Sequence, residues 1–169
     1  MNVLNPLQMI PRPTYSKELE DYSDLYLLLG VVELELRQRI PSNLSRSDSH
    51  NKWFENFEFD TYPKYQISSA LRRTNGNPVG IEARLPFGFW VRLFRLKNFE
   101  MIWKGRLSEV FPQLPKPDSQ KTYQSLSKRL NRIHKLRNKI AHYELMKLRI
   151  QSQDIQDLIF LIKALGIEI

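Results

Sequence analysis

Apolar residues recur at three- and four-residue intervals along most of this chain, the spacing of one helical face, and strand-type alternation is scarce. Leu25, Leu28, Leu29, Val32, Leu36 and Ile40 predict a first helix, opened by Ser23 as N-cap and closed before Pro41-Ser42-Asn43. Its polar face pairs Glu33 with Arg37 one turn on, an arrangement that adds a few tenths of a kcal/mol. Residues 41–65 combine Pro, Ser, Asn and Asp with Trp53, Phe54, Phe57, Phe59, Tyr62 and Tyr65. They predict a long loop pinned by aromatic burial, a candidate lid or dimer contact.

Gln66 to Arg73 reads as a short helix stopped by Asn75-Gly76-Asn77-Pro78. Pro86 suits the first turn of a helix over Phe87 to Leu96, and Phe99 to Phe111 continues as an amphipathic stretch. After Pro112, Pro115 and Pro117, Asp118 or Ser119 caps a long basic helix reaching Tyr143 to Met146. Ser152 then caps a last helix with Ile155, Leu158, Ile159, Ile162 and Leu165 inward, and Gly166 ends it. The expectation is an all-α, single-domain bundle of about five helices over 1–169, with 1–14 an irregular N-terminal segment.

Length and composition agree with that architecture. A chain of 169 residues fits one domain and buries most of its apolar surface. Cysteine is absent, so no disulfide and no thiolate nucleophile or zinc ligand exists, and a reducing cytoplasm suits the protein. Met1 to Thr14 lacks the charged start and continuous apolar run of a signal peptide. The longest apolar run, Leu25 to Val32, falls far short of the ~18 residues of a membrane span. A cytoplasmic protein without membrane contact is expected.

The formal charge of +8 is unevenly spread. Residues 115–149 carry ten Lys/Arg against Asp118 and Glu144, and residues 72–106 carry eight against Glu82 and Glu100. Residues 1–71 are net acidic, with seven basic and ten acidic side chains. Segregation of this kind creates a field that attracts a polyanion.

Within the basic helix, residues 137 to 142 read Arg-Asn-Lys-Ile-Ala-His. A phosphate-binding cation, an amide and a titratable imidazole thus fall within about one and a half turns. That chemistry suffices to cleave RNA without a metal. At about 100° per residue, Arg137 shares the stripe of Leu126, Leu130, Ile133, Ile140 and Ala141, whereas His142 lies about 140° away. A guanidinium on an apolar stripe needs an anionic partner, either a carboxylate such as Glu33 or Glu144 or a substrate phosphate. Asn138, four residues before His142, shares its side and is placed to orient it. Arg137 locked to an internal carboxylate with His142 in solvent would be a structural ion pair; both converging on one groove would be a reactive site. His134, one turn before Asn138, is expected to be an ordinary groove or interface side chain.

The R-N-x-x-A-H pattern resembles the signature of the HEPN superfamily, which includes many ribonuclease toxins. Glu33-Leu34-Glu35-Leu36-Arg37-Gln38-Arg39 and Leu85-Pro86-Phe87-Gly88-Phe89-Trp90 are similar to its Abi-like, abortive-infection branch. The resemblance extends over most of residues 20–165. It implies a metal-independent endoribonuclease that cleaves single-stranded RNA to 2′,3′-cyclic phosphate and 5′-hydroxyl ends, in phage defence or as a toxin. Arg137 would clamp the scissile phosphate, His142 would act as general base or acid, and Asn138 would support them. Arg129, Arg132, Lys135 and Lys139 would track the RNA backbone. No cofactor is implied, and a homodimer is, because two motifs would supply both acid and base. Members paired with a nucleotidyltransferase antitoxin carry Tyr two residues after the His; here Tyr143 follows directly and Glu144 holds that place, so any antitoxin is of another kind.

Other chemistries lack their residues. The only histidines are His50, His134 and His142, and no H-E-x-x-H, phosphate-cradling G-x-x-x-x-G-K-[ST] or serine elbow is present, so no metal site is expected. The alternatives are a catalytically silent HEPN-like nucleic-acid-binding module, or an adaptor whose interface is the aromatic region 53–65 and the helix 86–96.

Overall fold

Leu25, Leu29, Val32, Leu36, Ile40 and Leu44, spaced three or four apart, are all buried and make α1 (Ser16–Leu44) the spine of an all-α fold. The computed structural model describes residues 16–45, 50–142 and 151–168, among which no strand occurs. The helix starts well before the expected cap at Ser23, through the helix-favouring Lys17-Glu18-Leu19-Glu20. It also runs through Pro41 instead of ending before it. Proline there lacks the N–H that would reach the Arg37 carbonyl, and its ring crowds that carbonyl, a cost of about 3 kcal/mol. Burying Leu44 returns about 1.5–3 kcal/mol, and the Ser45 N–H and hydroxyl both donate to the Pro41 carbonyl, at 2.9 and 2.8 Å, so the extra turn forms.

The expected loop over 41–65 is largely helical. After α1, 3-10 turns span His50–Asn56, and α2 (Thr61–Arg73) begins five residues before the predicted Gln66. Pro63 stands in the first turn of α2, where a missing N–H costs nothing. Trp53 and Phe59 are buried as aromatic anchors, with Trp53 Nε1 donating to Glu82 Oε1 at 2.8 Å, whereas Tyr65 is exposed.

Further along, α3 (Phe87–Arg92) is shorter than predicted, with Pro86 as its N-cap. Phe87, Phe89, Trp90 and Val91 enter the core, as does Trp103, which stacks on Phe94 at 4.3 Å and donates to the Leu93 carbonyl at 2.7 Å. The core therefore holds most of the aromatic surface on which an adaptor would rely. The stretch 99–111 is not continuous: one π turn, Phe99–Trp103, is separated from α4 (Leu107–Val110) by Gly105, whose φ of +76° favours glycine. Asp118 accepts the Gly105 N–H at 2.8 Å, which leaves Ser119 to cap α5 (Gln120–Ala141).

α6 (Ser152–Ala164) has Gln151, not Ser152, as N-cap, in a capping box with Asp154. Gly166 ends it as expected, in left-handed backbone with Ile167 N–H returning to the Ile162 carbonyl. Leu158, Leu161, Ile162 and Leu165 face inward, but Ile155 and Ile159 sit at the rim, 39% and 38% exposed. The helix is rolled toward Asp157, which is fully buried against α5. No helix among the described residues is long and apolar enough to cross a membrane. The expectations for 1–14, for the end of the basic helix at 143–146, and for Tyr143 and Glu144 lie outside the described residues.

Candidate functional site

On α5, Asn131, His134, Arg137 and Asn138 follow one another at three- and four-residue steps and so share one face. That face forms one wall of a cavity of about 730 Å³ closed by α1, α2, the 3-10 turn Ile81–Arg84 and α3. Arg37, Arg73, Arg84, Arg92, Arg95 and Arg137 line it, and Glu33 is the single carboxylate among them. Six guanidiniums around one carboxylate make a compartment that favours anions strongly. Two of them, Arg73 and Arg84, have no ionic or hydrogen-bonded partner among the described residues.

Glu33 organises the wall. Its Oε1 accepts from Arg37 Nη2 at 2.6 Å, and its Oε2 lies 3.3 Å from Arg137 Nη2. Arg37 Nη1 also donates to the carbonyls of Glu82, at 3.1 Å, and Ala83, at 2.8 Å. The network ties α1 to the 3-10 turn and to α5. On the opposite side, Arg92 lies 4.0 Å above the Tyr62 ring, a cation–π contact. Arg95 is steadied by Asp60, whose carboxyl is held below its usual range by the Lys97 hydrogen bond and the charges of Lys97, Arg95 and Arg92.

His134 lines the same cavity. Its Nε2 is 3.1 Å from the Asn138 amide nitrogen, and its ring meets Phe87 edge to face at 5.7 Å. A Cβ at Gly88 would stand 2.8 Å from Nε2, so only glycine leaves room for the imidazole. Burial lowers the His134 pKa below the ordinary imidazole value, as do the charges of Arg137 and Arg92, with Glu33 opposing. The surroundings therefore favour the neutral ring.

The expected site residues divide among four settings. Arg137 and Asn138 line the cavity. His142 is exposed at the C-cap of α5, beyond the cavity lining, with its N–H on the Asn138 carbonyl at 3.0 Å. Arg137 on an internal carboxylate and His142 in solvent are the marks of the structural arrangement, although Arg137 also reaches an open cavity. Arg129 and Arg132 converge on Asp157, with Arg132 Nη1 at 2.6 Å and Arg129 additionally 4.3 Å over the Phe160 ring. Lys135 and Lys139 are exposed and without a partner among the described residues.

Sequence reasoning missed the arginines of the facing wall, Asp157, and the depth at which His134 sits. The surplus of basic residues over 72–106 was the available signal for the wall. A second groove abuts the cavity, sharing Arg95 and Asn131 with it and adding Lys128, Arg132 and Lys135. Among the described residues no cluster of three or more His, Cys, Asp or Glu could hold a metal ion.

No family model matches this chain, and no curated protein or solved structure matches it. The HEPN resemblance rests on the motif and the two flanking segments alone.

Proposed function

We propose that this protein is a metal-independent endoribonuclease of the HEPN, Abi-like type that acts on single-stranded RNA. One observation carries the reading: the arginine-lined cavity containing Arg137, Asn138 and a neutral imidazole continues, across Arg95 and Asn131, into a groove bearing Lys128, Arg132 and Lys135. An extended polyanion fills both compartments, whereas a small anion would use only the first. A walled cavity of about 730 Å³ suits splayed, unstacked nucleotides better than a stacked duplex, which favours a single strand. RNA carries its own 2′-hydroxyl nucleophile, so the protein needs only to hold the phosphate, move protons and stabilise developing charge.

In this reading Arg137 and its neighbouring guanidiniums bind the scissile phosphate, and Lys135 and Lys139 track the flanking backbone. His142 reaches the chemistry in a homodimer, where a second copy brings its helix end to the cavity mouth. The resemblance adds a cytoplasmic toxin role in phage defence, under an antitoxin of unassigned kind.

The second reading is an RNA-binding module without cleavage. The pairing of Arg137 with Glu33 and the exposure of His142 favour it. Incubation of end-labelled single-stranded RNA with the protein in EDTA separates the two. Products with 2′,3′-cyclic phosphate and 5′-hydroxyl ends, blocked by a 2′-deoxy substitution at the scissile nucleotide, support the nuclease. Retention of intact RNA supports the module, and neither result would refute both.

A further inference from the structure

Metal-free RNA cleavage requires a proton acceptor within hydrogen-bond reach of the 2′-hydroxyl. The cavity offers few. A guanidinium has no acceptor atom, and both oxygens of Glu33 are engaged by Arg37 and Arg137. His142 stands eight residues beyond His134, about 12 Å along the helix axis, so one chain does not bring both imidazoles to one phosphodiester. That leaves His134.

We propose that His134, seated by Gly88 and Asn138, takes the proton from the attacking 2′-hydroxyl of a strand lying in the cavity. This rests on reading the cavity as an RNA-cleaving site and assigns its base. Nε2 is occupied by Asn138, while Nδ1 has no hydrogen bond among the described residues. The amide oxygen and nitrogen of Asn138 are interchangeable in shape. As placed, the Asn138 amide nitrogen donates to Nε2 and the ring proton sits on Nδ1; a half-turn of that amide puts its oxygen on Nε2–H and leaves the lone pair on Nδ1. The groups facing the ring are Arg137 and Asn138 from α5, Phe87, Gly88 and Arg92 from α3, and Glu33 from α1. Burial, with the charges of Arg137 and Arg92 outweighing Glu33, favours the unprotonated ring that a base requires.

In the step itself the 2′-oxygen bonds to phosphorus as the bond from phosphorus to O5′ breaks, giving the cyclic phosphate. The 2′-hydroxyl proton passes to Nδ1. The departing O5′ takes a proton from the His142 that a second copy brings to the cavity mouth, and solvent then carries the proton gained by His134 back to His142. Arg137 and Arg92 stabilise the charge on the pentacovalent phosphorus. Asn138 and Gly88 are positioning residues, which fix the tautomer and make room for the ring.

The test is single-turnover cleavage of a short oligoribonucleotide in EDTA across pH 5 to 9, with binding of its non-cleavable 2′-deoxy analogue and thermal melting measured in parallel. For the unmodified protein the rate should fall on the acid side with a midpoint below 6.5, the ordinary imidazole value. His134→Gln should bind the analogue normally, cleave about 100-fold more slowly or worse, and lose the acid limb. Gly88→Ala, which removes no ionisable group, should slow cleavage with binding retained. A folded His134→Gln that cleaves at the normal rate overturns the assignment and leaves the ribonuclease reading standing; so does an acid midpoint above 6.5, which requires no variant. Binding without any cleavage by the unmodified protein overturns both.

Discussion

The Arg137 guanidinium stands 3.3 Å from the Glu33 carboxylate, which already accepts a 2.6 Å hydrogen bond from Arg37. One negative charge is thus shared by two cations, and the more distant of them, Arg137, also lines the cavity. The salt bridge satisfies the demand that an arginine on an apolar stripe be paired. It leaves a surplus positive charge for an incoming phosphate.

Glu33→Gln should therefore have two opposite effects. Stability should fall by about 1–3 kcal/mol as both guanidiniums lose their charged acceptor, read from urea denaturation. Affinity for single-stranded RNA should rise, because the one carboxylate that lines the cavity among the described residues is gone.

Asp157→Asn removes the carboxylate that gathers Arg129 and Arg132 between α5 and α6. Both arginine heads are partly exposed and regain water, so the expected loss is about 1–3 kcal/mol in the same denaturation experiment. RNA binding should be kept or strengthened as Arg132, in the groove, is released.

Lys128 and Lys135 are exposed in the groove beside the cavity. Replacing either with Ala should weaken binding similarly for all sequences and reduce the slope of log affinity against log salt by about 0.7. Titrations at several salt concentrations read the slope directly, and an unchanged slope places the strand elsewhere.

The lowered pKa of His134 links proton uptake to stability. As pH falls below 6.5 the unfolded chain protonates this ring before the folded one does. The stability contribution is present above 6.5 and is lost as pH falls through the folded value. Melting temperature should decline over that window in the unmodified protein, and more gently in His134→Gln.

How much could be read from the chain depended on whether one element or several were involved. The long basic helix announces itself through Tyr123, Leu126, Leu130 and Ile133, and its cap at Ser119 follows from local chemistry. Glu33 was named in advance as a partner for Arg137, because the demand for an anion can be deduced from the stripe. Pro41 and Pro63 misled: proline is tolerated in the first turn of a helix, where Pro63 stands, whereas Pro41 is carried inside α1 at a cost because the chain beyond it buries Leu44. The crowd of aromatics between 53 and 65 likewise hid the start of α2.

Nothing local could reveal the cavity. Its facing wall comes from residues 73–95, some 40 to 60 positions before His134, Arg137 and Asn138. The i,i+4 relation of His134 to Asn138 was visible; that α3 presents Gly88 at 2.8 Å from the ring was not, because it arises from helix crossing. The same separation explains Arg129 and Arg132, whose counterion lies 28 and 25 residues further on.

Asp157 also sets an order of events during synthesis. Until the ribosome has delivered α6, the buried stripe of α5 has α1 and α3 against it but is not fully covered, and two of its guanidiniums lack their counterion. The nascent chain would thus carry a sticky, highly cationic helix beside the RNA of the ribosome itself, and the cation-lined surface would take its final form only when Asp157 docks.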